Sequence, residues 1–300
     1  MKSHIRAVLP RILVIVGLLG LALVSFLCIA LRPDGMLAWL LKLTHKPISM
    51  PKIFGVYHVC MLAVCLALMA LTVLLRKKIR VEKLDTLVFF VGVLFFLMEL
   101  YKQLYHYAVL GNGTYNFGIL PLQFCSYCLY LFLLIPLLPE GKVKDTLYLF
   151  CAFYQTMGGA LVMAYPLFYR QLSLSIHTMI WHTVMICTGL IIMISRGYGK
   201  RYLREVLPPI GVFGAVFALS IVLNLTLTPY AQLSPQPLNL FYMSPYEKCT
   251  YFIIKDVRAA FGWVPSLFCY AALFIFVGAN TCWLTARLIR LLDRKSAQDQ

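Results

Sequence analysis

The chain has 300 residues, of which 61% are hydrophobic and only 13% are charged, and its formal net charge is +16. A soluble domain of this length could not bury so much apolar surface. The composition therefore excludes an ordinary soluble protein and predicts an all-α, polytopic membrane protein. The basic residues lie in short clusters between apolar runs, a pattern typical of membrane topology that argues against nucleic acid as a partner.

Eight apolar segments are long enough to cross a bilayer. They comprise residues 8–31, 53–75, 84–110, 119–139, 145–165, 174–195, 206–228 and 262–286. The first follows Lys2, Arg6 and Arg11, as in a signal peptide. It is too long for a signal peptide, however, and no small-residue cleavage site precedes Arg32-Pro33, so we interpret it as a retained span.

The distribution of basic residues predicts the orientation in the cell membrane. With the N-terminus in the cytoplasm, the inner segments contain 18 basic residues and the outer segments contain eight. This bias predicts that both termini are cytoplasmic. The apolar pattern suggests a two-helix extension at residues 1–83, a six-helix core at 84–287 and a cytoplasmic tail at 288–300.

Polar side chains occur inside four of these apolar segments. Glu99 and Lys102 lie in the third, Cys125 in the fourth, Gln155 in the fifth and His182 in the sixth. At about 1.5 Å per helical residue, all five lie roughly 9 to 16 Å below the predicted outer surface. Because buried polar and ionisable groups are costly in lipid, this shared depth predicts a polar pocket in the outer half of the bundle.

Glu99, Lys102 and His106 share one helix face, because they follow i, i+3, i+7 spacing. Two interpretations remain open. The Glu99–Lys102 pair could form the charged wall of a polar cavity that positions a lipid headgroup, or it could be a structural ion pair between helices.

Cys125 is a candidate nucleophile because its segment is unusually polar, with Gln123 and Ser126 as neighbours. A thiol needs a nearby base to become a thiolate, and His182 at a matching depth could be that base. Such a pair would support acyl transfer through a thioester, with Gln123 or Gln155 donating a hydrogen bond to the oxyanion. The alternatives are a core cysteine, since this chain has ten cysteines, and a histidine that forms an interhelical hydrogen bond.

Two other functions remain open. Cys125 and Cys128 form a C-x-x-C pair, as in membrane thiol oxidoreductases, although only Cys249 lies in an outer loop to serve as a relay. The same pocket could also belong to a non-enzymatic binder or carrier of a lipid or small solute. No metal site or cofactor is predicted, because the His and Cys residues lack ligand spacing.

The last predicted loop, residues 229–261, is rich in Pro, Tyr and Phe. Its segment 239–246 (Asn-Leu-Phe-Tyr-Met-Ser-Pro-Tyr) suggests a stretch that lies in the interface or caps the bundle, with Tyr242 shielding the pocket. A loose outer loop is the other interpretation.

Three short motifs resemble the YwaF family of bacterial integral membrane proteins. They are Leu-Pro-Leu-Gln-Phe-Cys-Ser at 120–126, Trp181-His182 followed by Thr188-Gly189-Leu190, and segment 239–246. The position of Glu99 before an outer glycine-rich loop also resembles the pattern of this family. The likeness covers about residues 85–286.

The resemblance implies a link to lipid chemistry. The YwaF family is similar to a eukaryotic transmembrane acyltransferase of ether phospholipids and, more distantly, to androgen-induced transmembrane hydrolases of fatty-acid esters. Those relatives imply a nucleophile on one helix and a histidine on another, which maps onto His182. The acyltransferase cysteine directly follows the proline, where this chain has Leu122, and Cys125 lies one turn later. Ser126 is the nearest hydroxyl to the threonine of the hydrolases, and Gln123 replaces a histidine of many relatives.

Overall fold

The computed structural model describes residues 2–79, 81–200, 202–231 and 234–298, with side chains from residue 8 to residue 292 except Cys282 and these gaps. Its regular elements are helices. The α-helices are α1 (Lys2–Leu31), α2 (Met36–Leu43), α3 (Val56–Leu74), α4 (Leu84–Tyr105), α5 (Tyr127–Leu134), α6 (Lys142–Phe150), α7 (Thr156–Ala164), α8 (Leu172–Arg196), α9 (Tyr202–Leu227), α10 (Phe252–Phe261) and α11 (Trp263–Gln298).

Two π-helical turns interrupt or extend these helices. His106–Leu110 continues α4, and Cys151–Gln155 joins α6 to α7, so that α6 and α7 form one continuous rod. A π turn adds a residue to the helical repeat and is frequent at functional sites.

The described residues contain seven helices that are long and apolar enough to cross a membrane. They are Val8–Leu31, Val56–Leu74, Val81–Leu110, Lys142–Ala164, Leu172–Arg196, Tyr202–Ala231 and Trp263–Leu292. The predicted all-α, multi-pass membrane architecture is therefore confirmed, with one fewer full-length span than the eight predicted.

The fourth predicted segment, 119–139, accounts for the difference. Its apolar helix covers only Phe124–Leu137, which at 1.5 Å per residue is about 21 Å and too short for a hydrocarbon core of about 30 Å. A single 3-10 turn at Phe117–Ile119 and a non-helical stretch at 120–123 precede this helix, and Pro121 supplies no backbone N–H for a helix there. At the other end of the chain, α11 continues to Gln298, so the predicted tail is largely helical.

Loops that the charge count assigns to one side of the membrane lie together at one end of the bundle. At the predicted inner end, the Lys144 ammonium contacts Asp85 at 2.5 Å and Glu140 at 2.7 Å. Arg196 binds the other oxygen of Glu140 at 3.0 Å, and the Tyr148 hydroxyl donates to Asp85. This network joins the inner ends of α4, α6 and α8.

The N-terminal helices pack directly on the remaining bundle. The segment after α2 covers the predicted outer end, where His45 Nδ1 lies 2.6 Å from the Tyr105 hydroxyl and Leu172 donates its N–H to the Lys46 carbonyl at 3.0 Å. In α3, the fully buried His58 bonds the Met163 carbonyl at 2.8 Å. Residues 1–83 are therefore integrated with the helices that carry the candidate site.

Small residues allow α7 and α8 to approach closely. A Cβ atom on Gly189 would lie 1.7 Å from Thr156 Oγ1, and one on Gly159 would lie 3.1 Å from the His182 carbonyl oxygen. Glycine at such contacts is typical of membrane helix pairs, which lack a hydrophobic driving force and depend on close packing. These contacts also fix the antiparallel register of the two helices.

Candidate functional site

A hydrogen-bonded ion pair lies inside α4. Lys102 Nζ is 2.8 Å from Glu99 Oε2, and the two side chains are only 16% and 7% exposed. Gln103 donates to Glu99 Oε1 at 2.6 Å and to the Ile119 carbonyl at 2.8 Å, while the Tyr115 hydroxyl donates to Gln103 at 3.0 Å. Burial raises the pKa of Tyr115 to about 12, so its hydroxyl remains a donor at neutral pH. The chain of contacts connects the ion pair to Tyr115, in the loop that follows the first π turn.

Lys102 reaches beyond its helix. Among the described side chains it forms one ion pair, with Glu99, and its charge also interacts with Cys125 and Tyr169. An ammonium group has three N–H donors, so the pair with Glu99 leaves Lys102 with further donor capacity.

Cys125 lies at the start of the short helix, just inside the bundle. Its carbonyl oxygen accepts from the Trp181 indole N–H at 3.3 Å and from the Cys128 thiol at 2.8 Å. Ser126, which follows it, is buried and donates its N–H to the Gln123 carbonyl at 2.8 Å. These bonds fix the Cys125 backbone against α8 and leave its half-buried thiol at the helix N-terminus.

The orientation of His182 determines its tautomer. His182 Nδ1 lies 2.7 Å from the Thr178 carbonyl oxygen, which can only accept, so Nδ1 carries the proton. Nε2 is then an unprotonated acceptor, and this atom is buried without a hydrogen-bond partner among the described residues. Since a carbonyl of the same helix satisfies Nδ1, the predicted interhelical hydrogen bond is not formed by either nitrogen.

Cys125 and His182 are linked indirectly, through Trp181. Trp181, which bonds the Cys125 carbonyl, directly precedes His182, but within the described residues no hydrogen bond joins the thiol to Nε2. The predicted pair is thus on adjoining elements without thiol–imidazole contact.

Gln155 lies deeper than its predicted position. Because Thr156 faces Gly189 and Gly159 faces His182, the register puts Gln155 about two turns, or roughly 12 Å along the axis, from the level of His182. Its amide donates to the Phe124 carbonyl at 3.1 Å, while Oε1 has no partner in the described structure. The amide nitrogen has two N–H donors and this bond uses one of them, so a role for Gln155 as oxyanion donor stays a prediction.

Gln123 serves a backbone segment instead of an open pocket. Its amide donates to the Asn239 carbonyl at 3.0 Å and accepts from the Phe241 N–H at 2.9 Å. Asn224 in α9 makes the same double contact with Leu240, at 3.0 and 2.8 Å. Gln123 is therefore a support for segment 239–246, while its second amide N–H is not used in these bonds and its role as oxyanion donor stays a prediction.

Segment 239–246, called the strap below, is ordered and mostly buried. The Arg258 guanidinium donates to the Ser244 and Pro245 carbonyls, and the Trp263 indole donates to the Met243 carbonyl. The interpretation of a capping segment is therefore favoured over a loose outer loop.

Tyr242 is a strap residue that packs against the segment before α10. Its ring lies edge-on to Tyr251 with centroids 5.5 Å apart. Burial raises the pKa of Tyr242, so it stays a neutral phenol. Its hydroxyl makes no hydrogen bond with a described residue.

Two further histidines lie near Lys102. His106, in the first π turn, is 4% exposed and its Nε2 has no partner in the described part of the chain. His177 Nε2 donates to the Met98 carbonyl at 3.1 Å, and its ring stacks on Trp181. Both interact electrostatically with Lys102, which indicates that the polar region extends toward the predicted outer end.

The sequence reasoning missed the supports of the site, chiefly Asn224 and Asn239. Asn224 is completely buried in an apolar span, so the cost of a buried polar group, which singled out Glu99, could have identified it. Asn239 was recognised only as part of a motif, because its role depends on accepting the Ser244 N–H.

The described residues form neither a disulfide nor a metal site. The nine described cysteines are free, and Cys128 is buried with its thiol donating to a backbone carbonyl. Among the described residues, no group of three or more His, Cys, Asp or Glu side chains could hold a metal ion.

Comparison of the chain with protein-family models, with curated proteins and with solved structures finds no match.

Proposed function

We propose that this protein is a membrane enzyme that transfers or hydrolyses an acyl group of a lipid, with Cys125 as nucleophile and His182 as base. The observation that carries the proposal is the unpartnered lone pair of His182 Nε2, buried inside the membrane region. A buried acceptor without a donor costs roughly 1 to 3 kcal/mol, and a thiol or substrate hydroxyl would supply the missing donor.

The surroundings of Cys125 support a reactive thiol. It stands at the N-terminal end of the short helix Phe124–Leu137, where partial positive charge favours a thiolate. Cys125 is half-buried, as are Cys187, Cys249 and Cys269, whereas Cys151 is fully buried.

The proposed reaction balances with these two groups alone. His182 Nε2 takes the thiol proton, and the sulfur attacks the ester carbonyl carbon. The carbon–sulfur bond forms, the ester carbon–oxygen bond breaks, and the leaving alcohol takes the proton from His182. An acceptor alcohol or water then attacks the thioester, giving its proton to His182, which returns it to the departing sulfur. Substrate binding must first close the gap between thiol and imidazole, as catalytic contacts often tighten only in the complex.

The test is peptide-resolved alkylation, because the chain has ten cysteines. Iodoacetamide should modify Cys125 faster than Cys128 in the wild-type protein in detergent. His182→Ala should reduce the rate at Cys125, and Thr183→Ala, its buried neighbour, serves as control. If Cys125 reacts equally fast in His182→Ala and wild type, His182 is not its base.

A second candidate is a non-enzymatic binder or carrier of a lipid or small solute. The network of Glu99, Lys102, Gln103 and Tyr115 favours it, because this polar wall is complete without the thiol. Loss of ligand transfer in Glu99→Gln, with full function in Cys125→Ser, would select the carrier over the enzyme.

A thiol oxidoreductase is the third candidate. Quinone-dependent formation of a Cys125–Cys128 disulfide, measured by mass spectrometry, would establish it. The buried Cys128 thiol, bonded to the Cys125 carbonyl, gives this function no support.

The resemblance of residues 120–126, 181–190 and 239–246 to the YwaF family is consistent with lipid chemistry, and we propose membership of that family on those motifs. We also propose the cell membrane as location and membrane lipids as partners, because the basic residues are biased to one side.

A further inference from the structure

The strap has a backbone conformation that needs support from its surroundings. Phe241 has φ of 56° and Tyr242 has φ of 57°, in the left-handed region that residues with a Cβ rarely adopt. Such residues persist only where surrounding contacts hold them. From the bundle, Gln123 and Asn224 supply such contacts through hydrogen bonds to the backbone of residues 239–241.

Helix α10 provides a second support for the strap. The Arg258 guanidinium donates to the Ser244 carbonyl at 3.0 Å and to the Pro245 carbonyl at 2.8 Å. Ile254, one helical turn before Arg258, is 1% exposed. The two residues lie on the same side of the helix because they are four positions apart. One side of α10 is therefore occupied by protein contacts.

The remaining surface of α10 has an apolar face and a polar side. The apolar face consists of Ile253, Val257, Ala260 and Phe261. At 3.6 residues per turn, these positions fall within about 100° of the helix circumference. Ile253 is 47% exposed and Phe261 is 71% exposed. The exposed Lys255 and Asp256 lie on the other side, which also carries Phe252 at the start of the helix.

The position of α10 in the chain indicates what covers its apolar face. Gly262 ends the helix with φ of 88°, and the membrane-spanning helix α11 begins at the next residue. The first residue of α11 is Trp263, an aromatic residue of the kind enriched at membrane interfaces. Helix α10 therefore lies at the end of a span, where one side can meet acyl chains and another side can meet water.

We propose that α10 is an interfacial helix whose apolar face rests on the acyl chains of the leaflet at the strap end of the bundle, and that this contact supports the strap through Arg258. The partner is the lipid surface. In the first turns of the adjoining span, Val264 and Phe268 are likewise 53% and 73% exposed, as lipid-facing residues of a span are. This role of α10 is independent of the reaction proposed for Cys125.

The test uses the full-length protein in vesicles of phosphatidylcholine and phosphatidylglycerol. The photo-crosslinking residue p-benzoylphenylalanine replaces Phe261 in one variant and Asp256 in the control. Both positions are exposed, so neither change disturbs the core. After irradiation, peptide mass spectrometry should find several-fold more phospholipid adducts at position 261 than at position 256. Equal yields at the two positions, or a crosslink from position 261 to a second copy of the chain, would overturn the interfacial assignment.

The support of the strap has a separate readout, which is hydrogen exchange of the Ser244 N–H. This group donates to the Asn239 side chain at 2.9 Å. In the same vesicles, the double variant Ile253→Ser/Phe261→Ser should speed the exchange several-fold. The apolar face then loses its affinity for acyl chains, and Arg258 no longer holds the strap firmly.

The control for this measurement is Lys255→Ser/Asp256→Ser, which makes two changes on the polar side of the same helix. It should leave the exchange rate of the Ser244 N–H unchanged. If the apolar-face variant also exchanges at the wild-type rate, the strap is held without the lipid contact and its support by α10 is refuted. The crosslinking result then stands or fails separately.

Discussion

Glu99 and Lys102 are charged residues whose burial in the membrane is costly in free energy. Each charge is tolerated because the other lies 2.8 Å away and Gln103 bonds the carboxylate. Removing one partner of a buried pair leaves an uncompensated charge, which is more damaging than removing both.

We therefore expect Lys102→Met to destabilise the protein by about 3 to 5 kcal/mol. The double variant Lys102→Met/Glu99→Gln should recover part of this loss. Lys42→Met is the matched control, because Lys42 forms a pair with Asp34 at 3.3 Å in which both side chains are exposed. It should change stability by less than about 1 kcal/mol. Unfolding in mixed detergent micelles measures the difference, and equal effects of the two methionine variants would contradict a buried charged pair.

At the scale of helices, the contact between α7 and α8 depends on residues without side chains. Gly189 leaves room for Thr156, and Gly159 leaves room for the backbone at His182. This contact sets the level of His182 relative to the elements around it.

Gly189→Ala should therefore destabilise the bundle by about 1 to 3 kcal/mol, since the new methyl group would overlap Thr156 Oγ1. Gly211→Ala in α9 is the control, because a Cβ there meets nothing within 4 Å. That variant should be neutral or slightly stabilising, as alanine is the better helix former. Thermal unfolding in detergent measures both, and a neutral Gly189→Ala would argue against the close α7–α8 contact.

The ion network at the inner helix ends predicts a dependence on pH. Hydrogen bonds from Lys144 and Arg196 lower the pKa of Glu140 below its ordinary value of 4.5. A carboxyl whose folded pKa is depressed stabilises the fold above its unfolded pKa, and this contribution is lost as pH falls through the folded value.

The wild-type protein should accordingly have a higher Tm than Glu140→Gln near neutral pH. The difference should shrink as the pH is lowered from about 4.5, because wild-type Glu140 then becomes neutral as well. Asp256→Gln, an exposed position on α10, is the control and should leave the pH profile unchanged. A Tm difference that stays constant between pH 7 and pH 3 would rule out this linkage.

For the whole molecule, the order of the loops divides the bundle into two ends, and the charge count assigns one of them to the cytoplasm. Lys52 and Lys78 are exposed residues on opposite ends. In intact cells, Lys52→Cys should react with a membrane-impermeant maleimide, whereas Lys78→Cys should react only after permeabilisation. The reverse pattern would invert the orientation and put the candidate site near the cytoplasmic surface.

Several parts of this architecture follow from local sequence alone. Long apolar runs define seven spans, and i, i+3 spacing predicts the Glu99–Lys102 pair, because both depend on residues close in the chain. The short fourth helix was not predicted, since apolar composition does not reveal that residues 120–123 form no helix. The separation of Gln155 from His182 along the bundle was not predicted either, because the interhelical register depends on packing at Gly159 and Gly189.

The amino-acid sequence by itself determined that this chain is a helical membrane protein with costly polar groups in its interior, because hydrophobicity and helical periodicity are local properties. Only the tertiary structure decided what those groups contact. The side chain of Gln123 binds the strap, and Nε2 of His182 has no hydrogen-bond partner among the described residues. The left-handed backbone of the strap is held by Gln123, 118 positions away, and by nearby Asn224. Hydrogen bonds between distant segments arise only when the helices pack, and no local pattern specifies them.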